Sequence, residues 1–312
     1  MANDLKRYVF GWLPDYPDFR DYTEDTGTVK EILLPTGLPL GRDLVGRGGA
    51  RAVSTKKASA DRFTLPGSVD LRQWCSSVED QRNLGACTAQ AGVGVIEYYE
   101  RKSFGRHIDA SRLFLYKVTR NLMKMKGDTG AYLRTTIGGM VLFGVPPEEY
   151  WPYTDDQERF DKEPPAFCYA FAQNYKTIQY YRHDPPGLLP TAVLSRVKTH
   201  LAAGHPSMFG FTVYSSIEMA DDRGAIPFPA PSERILGGHA VVAVGYDDRV
   251  KIANRTSRRE TTGALLIRNS WGTGWGDHGY GWLPYEFILK GLAEDFWSVL
   301  KKEWIDTGEF NV

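Results

Sequence analysis

The stretch QRNLGACTAQA, residues 81–91, places a cysteine among small residues. A helix beginning at Cys87 would aim its free N–H groups and positive dipole end at the sulfur, and both favour the nucleophilic thiolate over the thiol. The competing reading is a buried, inert cysteine. A second reactive residue is His239 in LGGHAVVAVGYDD. It follows two glycines and opens an apolar, strand-like run, a setting at the rim of a sheet with bare backbone beside it. His107, His183, His200, His205 and His278 have no comparably constrained setting. Asn269, in ALLIRNSWGTGWGDHGYGW, is the third. An asparagine at a strand end can accept a hydrogen bond from one imidazole nitrogen and so fix ring orientation and tautomer. Trp271 is placed to cover that bond from water. A hydrogen-bonded rim histidine and a turn asparagine are the corresponding structural readings.

The elements that must carry these residues follow a change of pattern along the chain. Apolar spacing predicts a helix over 88–103, with Ala89, Ala91, Gly92 and Gly94 small enough for close approach of neighbours. Phe114, Val118 and Leu122 mark a second helix, capped by Asp109 or Ser111. Leu133, Ile137 and Val141 mark a third that ends at Gly144 and Pro146. Leu189, Val193, Val197 and Leu201 mark a fourth, stopped by Gly204 and Pro206. Beyond it the runs MFGFTV, HAVVAVGY, GALLIRN, GYGWL and FWSVL read as strands. Helices first and strands later predict an α+β fold. The polar insertion DDRVKIANRTSRRETT between His239 and Asn269 reads as a long surface hairpin tip, and its Asn254–Thr256 match to a glycosylation acceptor as chance.

Ahead of this globular part, residues 1–38 form an arm rich in aromatics, proline and aspartate. The run FGWLPDYPDFRDY within it is too proline-rich for a helix. Residues 39–64 are rich in glycine and basic residues and read as a flexible linker. The folded domain spans 65–312. The chain has 312 residues, with 38 basic and 38 acidic side chains. That balance exerts no global pull on nucleic acid or anionic lipid, so no nucleic-acid or membrane partner is expected. No apolar run reaches spanning length, and the N-terminus lacks a Sec-type signal pattern. Three cysteines give no disulfide framework. A cytoplasmic location is expected, with export by a route other than Sec left open.

Taken together, the order Gln, Cys, His, Asn in QRNLGAC, GGHAVVAVGYD and RNSWGTGWGDHGY resembles the papain family of cysteine peptidases, in its prokaryotic form. VDLRQW before the cysteine and GVPPEEYWPY after the third helix extend the resemblance over residues 65 to about 290. It implies a helical left domain and a β-barrel-like right domain with the active-site cleft between them. It implies Cys87 as nucleophile, His239 as general acid/base and Asn269 as its orienter. Gln81 would be an oxyanion donor and Trp271 the shield of the His–Asn bond. Gly130, Ala131 and Tyr132 would pair with extended substrate and open the S2 pocket, Tyr132, Leu133 and Phe209 would line that pocket, and Gly238 would lie beside the substrate. An apolar P2 residue is then expected. The pattern is departed from at Leu84, Thr88 and Ala131, where the family usually has Cys, Trp and Gly.

The resemblance implies a cysteine endopeptidase, acting on peptide or protein through an acyl-enzyme, with no metal or organic cofactor and as a monomer. A transferase using the same residues and a non-catalytic peptide-binding relative are the alternatives. The arm has two readings: Trp12, Tyr16 and Phe19 lie in or near the cleft, which would make the arm an intramolecular inhibitor released by a cut in the linker and the chain a zymogen, or the arm packs on the surface and completes the fold.

Overall fold

The computed structural model describes residues 9–33, 65–175 and 179–300; the stretch expected to be a linker, 39–64, lies outside them. Helix α1 spans Gly27–Leu33, α2 Cys87–Phe104, α3 Arg112–Leu122, α4 Leu133–Phe143, α5 Ala166–Ala172, α6 Pro190–Ala202 and α7 Glu286–Leu289. The four long helices are those the apolar spacing marks out. Their ends have local causes. Gly105 closes α2 in the left-handed region, at φ 68°, where a side chain would be strained. Ser111 Oγ accepts from Phe114 N at 3.1 Å and starts α3. Pro190 opens α6 at a position where its missing N–H costs nothing. The helices that periodicity does not reveal are α1, α5 and α7, of seven, seven and four residues. Each is shorter than the window in which a 3.6-residue period can be seen.

Strands β1 Ser68–Asp70, β2 Gln179–Arg182, β3 Ser207–Tyr214, β4 Ile235–Ala253, β5 Glu260–Arg268, β6 Tyr280–Pro284 and β7 Ala293–Leu300 make one antiparallel sheet. Its order is β2-β7-β3-β4-β5-β6, with β1 added beside β4. The sheet is open: β2 and β6 are its ends and do not pair with each other. Helix α2 is buried from Cys87 through Tyr99 and packs between β4 and helices α3 and α4. The fold is therefore α+β, with a helical layer and a sheet meeting along α2.

The polar insertion forms the tip of the β4–β5 hairpin. Asn254 is buried there, its Oδ1 accepting from Thr256 N and Ser257 N while its Nδ2 donates to the Phe228 carbonyl. Its side chain holds the turn and is not open to a glycan. No helix among the described residues is long and apolar enough to cross a membrane.

Candidate active site

Cys87 is the first residue of α2, and no side chain caps that helix. The orphan N–H groups of the first turn are therefore left for the sulfur. His239 lies in β4, paired across the sheet with Phe211 of β3. Asn269 follows the last residue of β5. The fold brings these distant segments together: His239 Nε2 and Asn269 Oδ1 are 2.8 Å apart. Asn269 Oδ1 also accepts from Ser270 N at 2.8 Å, so the amide cannot turn. Trp271 stacks on the His239 ring at 4.7 Å and 26°. His239 Nδ1 is buried and makes no hydrogen bond among the described residues.

Gln81 is fixed from both sides. Its Oε1 accepts from Ser270 Oγ at 2.6 Å and its Nε2 donates to the Leu84 carbonyl at 2.8 Å. Ser270 thus serves two of the four residues, holding Asn269 by its backbone and Gln81 by its hydroxyl. Position beside Asn269 is the only sequence signal it carries. Asp128 ties the wall of the cleft to the cysteine loop, accepting from Gly85 N at 2.9 Å and from Tyr116 Oη at 2.6 Å. Thr88, where tryptophan is usual in the resemblance, accepts from Thr136 Oγ1 at 3.0 Å and so joins α2 to α4. All three cysteines are free and buried.

The cleft is filled by the chain's own N-terminal arm. Residues 9–13 run parallel to Ala131: Leu13 N donates to the Ala131 carbonyl at 3.0 Å and Ala131 N to the Gly11 carbonyl at 2.7 Å. Trp12 N donates to the Gly238 carbonyl at 3.0 Å. The Val9 carbonyl accepts from Gln81 Nε2 at 3.1 Å. Phe10 stands edge-on to His239 and Trp271, each at 6.1 Å. Gly11 crosses Gly85 so closely that a Cβ on it would lie 1.9 Å from the Gly85 carbonyl oxygen. Trp12 is buried over Gly210, and its Nε1 donates to Asp295 Oδ2 at 3.2 Å.

Of the arm aromatics expected at the cleft, Trp12 is there and Tyr16 and Phe19 are not: they are 90% and 92% exposed. After Leu13 the chain leaves the cleft, because Arg134 draws Asp15 and Asp21 outward with ion pairs of 2.8 Å each. Glu24 then re-enters the interior and pairs with Arg196 Nε at 2.9 Å and His200 Nε2 at 3.0 Å. Val29 and Leu33 of α1 are fully buried. Among the pocket residues expected from the sequence, Gly130, Ala131 and Gly238 touch the arm. Tyr132 is the N-cap of α4 and Leu133 is buried in its first turn. Phe209 stacks on Phe296 at 4.5 Å and 9°, on the other face of β3 from Gly210.

Burial sets the electrostatics of this closed cleft. Desolvation pushes the Cys87 thiol up to about 11, against the pull of backbone N–H groups at Ala240, Gly11, Thr88 and Cys87 itself. It pushes the His239 imidazole down to about 4, against the Asn269 hydrogen bond. Both groups are thus neutral at pH 7.

The chain's likeness to known proteins agrees with this geometry. Residues 65–288 match the model of the papain family cysteine protease. An uncharacterised peptidase C1-like protein of Acanthamoeba polyphaga mimivirus is 32% identical over 300 residues, covering 93% of this chain and 86% of that protein. Cathepsin K of Gallus gallus is 28% identical over 266 residues, covering 83% of this chain and 70% of its own. The crystal structure of xylellain, a cysteine protease from Xylella fastidiosa, superposes with a TM-score of 0.68 at 31% identity, covering 93% of this chain and 95% of that one. Family model, relatives and fold agree that the chain belongs to the papain family of cysteine proteases and is a peptide-bond hydrolase.

Proposed function

We propose that the protein is a cysteine endopeptidase that forms an acyl-enzyme on Cys87 and is held latent by its own residues 9–33. The thiolate attacks the scissile carbonyl. Cys87 N–H and Gln81 Nε2 hold the oxyanion, and removal of one such donor typically costs about 10²- to 10³-fold in rate. His239, held by Asn269, exchanges the proton through Nδ1: it protonates the leaving amine, then takes a proton from the water that releases the acyl group.

The observation that carries latency is the Val9 carbonyl at Gln81 Nε2, on the donor the oxyanion needs. Direction supports the same reading. A substrate with its P1 carbonyl on Gln81 and its P2 side chain beside Ala131 runs from the Ala131 pocket toward Gln81. The arm runs the other way, from Val9 at Gln81 to Trp12 beside Ala131. It fills the cleft while presenting no carbonyl to the sulfur in the orientation that cleavage requires.

The test compares peptide hydrolysis by the full chain, by Trp12→Ala, and by Trp12→Ala with Cys87→Ala. Trp12→Ala is expected to raise activity at least about tenfold, since truncating a buried tryptophan weakens docking by about 3–5 kcal/mol. The added Cys87→Ala is expected to abolish it. Equal activity of the first two chains would remove latency from the reading, and activity without Cys87 would remove the nucleophile.

A further inference from the structure

We propose that Asp295 makes the pocket beside Ala131 selective for an aromatic P2 side chain bearing a hydrogen-bond donor at its far end, tryptophan above tyrosine, with phenylalanine and leucine disfavoured. The inference rests on the peptidase reading above and sharpens the apolar preference expected from the sequence.

Two features of the pocket argue for it. The first is room. Gly210 forms the pocket's floor on β3, and a Cβ there would fall 1.9 Å from Trp12 Cε2. Any side chain at this position would shut out an indole. The second is the end wall. Asp295 is fully buried. Its Oδ1 is already engaged by Trp297 Nε1 at 2.6 Å and by Arg182 Nη1 at 3.1 Å. Its Oδ2 accepts from Trp12 Nε1. When Trp12 withdraws, Oδ2 loses that donor while the carboxylate stays deep in the protein. A buried acceptor without a donor is costly. A site built around a hydrogen bond discriminates strongly against ligands that lack it, more than an apolar pocket discriminates by size. Leucine or phenylalanine would fill the space and leave Oδ2 unmet.

A basic side chain is the other ligand a carboxylate takes, and the surrounding charge argues against it. Arg182 already neutralises Asp295 and also pairs with Asp184 at 2.9 Å. Arg134 pairs with Asp15 and Asp21, both from the arm. Withdrawal of the arm therefore removes two negative charges from around Arg134 and Arg182. Arg134 and Arg182 are then matched by Asp184 and Asp295, and a lysine would have to compete with Arg182 for a carboxylate already paired, whereas a neutral N–H or O–H donor would not.

The experiment uses the full chain with Trp12→Ala, which empties the pocket and keeps the anchors at Glu24, Val29 and Leu33. Peptides identical except for Trp, Tyr, Phe, Leu or Lys at P2 are compared in two ways: kcat/KM in this chain, and Kd by calorimetry in the same chain with Cys87→Ala. Expected is a Trp-to-Phe ratio of about ten or more in both, with Tyr between them. Asp295→Asn is the second variant. Asparagine tolerates the left-handed φ of 66° at this position. With its oxygen held by Trp297 and Arg182, it turns its amide N–H₂ toward the pocket, so the ratio should fall to about one or invert. Equal binding of the Trp and Phe peptides, a best ligand with lysine, or a ratio unchanged in Asp295→Asn would each overturn the inference. A chain that binds the Trp peptide selectively yet cuts none of the series would keep the pocket and overturn the peptidase reading instead.

Discussion

Cys87 and His239 rest in the covered cleft as a neutral thiol and a neutral imidazole, because burial opposes the charged form of each. A thiol raised to about 11 is protonated at pH 7, and its thiolate fraction grows about tenfold per pH unit up to that value. Alkylation of Cys87 in the full chain, followed by mass spectrometry, should therefore keep accelerating through pH 10. In Trp12→Ala the sulfur is rehydrated and meets its imidazole in water, so the plateau should move to a lower pH. A wild-type plateau below about pH 9 would contradict the neutral resting pair. At this scale the sequence was informative where chemistry demands a rare residue type in a rare setting. Cys87 before small residues, His239 after two glycines and Asn269 before Trp271 each carry their context in their neighbours. Asp295 does not: it acquires meaning only from Trp12, 283 positions away. Ser270 is a similar case, since a serine in a turn has many ordinary uses.

At the scale of elements, the long helices and the strands could be read from periodicity, while the arm's path could not. Proline and aromatic content marks residues 10–22 as extended but leaves open which aromatic is buried. That choice is made by Gly11 against Gly85 and by Arg134 pulling Asp15 and Asp21 away from the cleft. The anchor beyond them, Glu24, was equally silent, because its partners Arg196 and His200 lie on α6. A buried ion pair broken from one side costs about 3–5 kcal/mol, since the remaining charge stays desolvated. Glu24→Gln in the full chain should therefore loosen the arm without touching the cleft, and basal peptide hydrolysis should rise. Unchanged basal hydrolysis would mean that residues 9–13 hold the arm by themselves.

Across the whole molecule, the arm is part of the folded body. Trp12, Glu24, Val29 and Leu33 are each no more than 5% exposed, with Trp12 bonded to Gly238 of β4 and Asp295 of β7 and Glu24 paired with Arg196 and His200 of α6. A chain cut within residues 39–64 and freed of residues 9–33 should unfold at a lower temperature. About 4 kcal/mol of lost docking at about 2 °C per kcal/mol gives a drop of roughly 8 °C for a protein of this size. Calorimetry before and after nicking measures it, and an unchanged midpoint would show the arm to be a passive cover. The Glu24 anchor then has a consequence in time. Losing the arm empties the interior place of a carboxylate and leaves Arg196 and His200 facing one another without it. On the latency proposed above, the form able to work is the less stable one, and the event that switches the enzyme on would also start its clock: long storage while dormant, then a working life set by how fast the unplugged body unfolds.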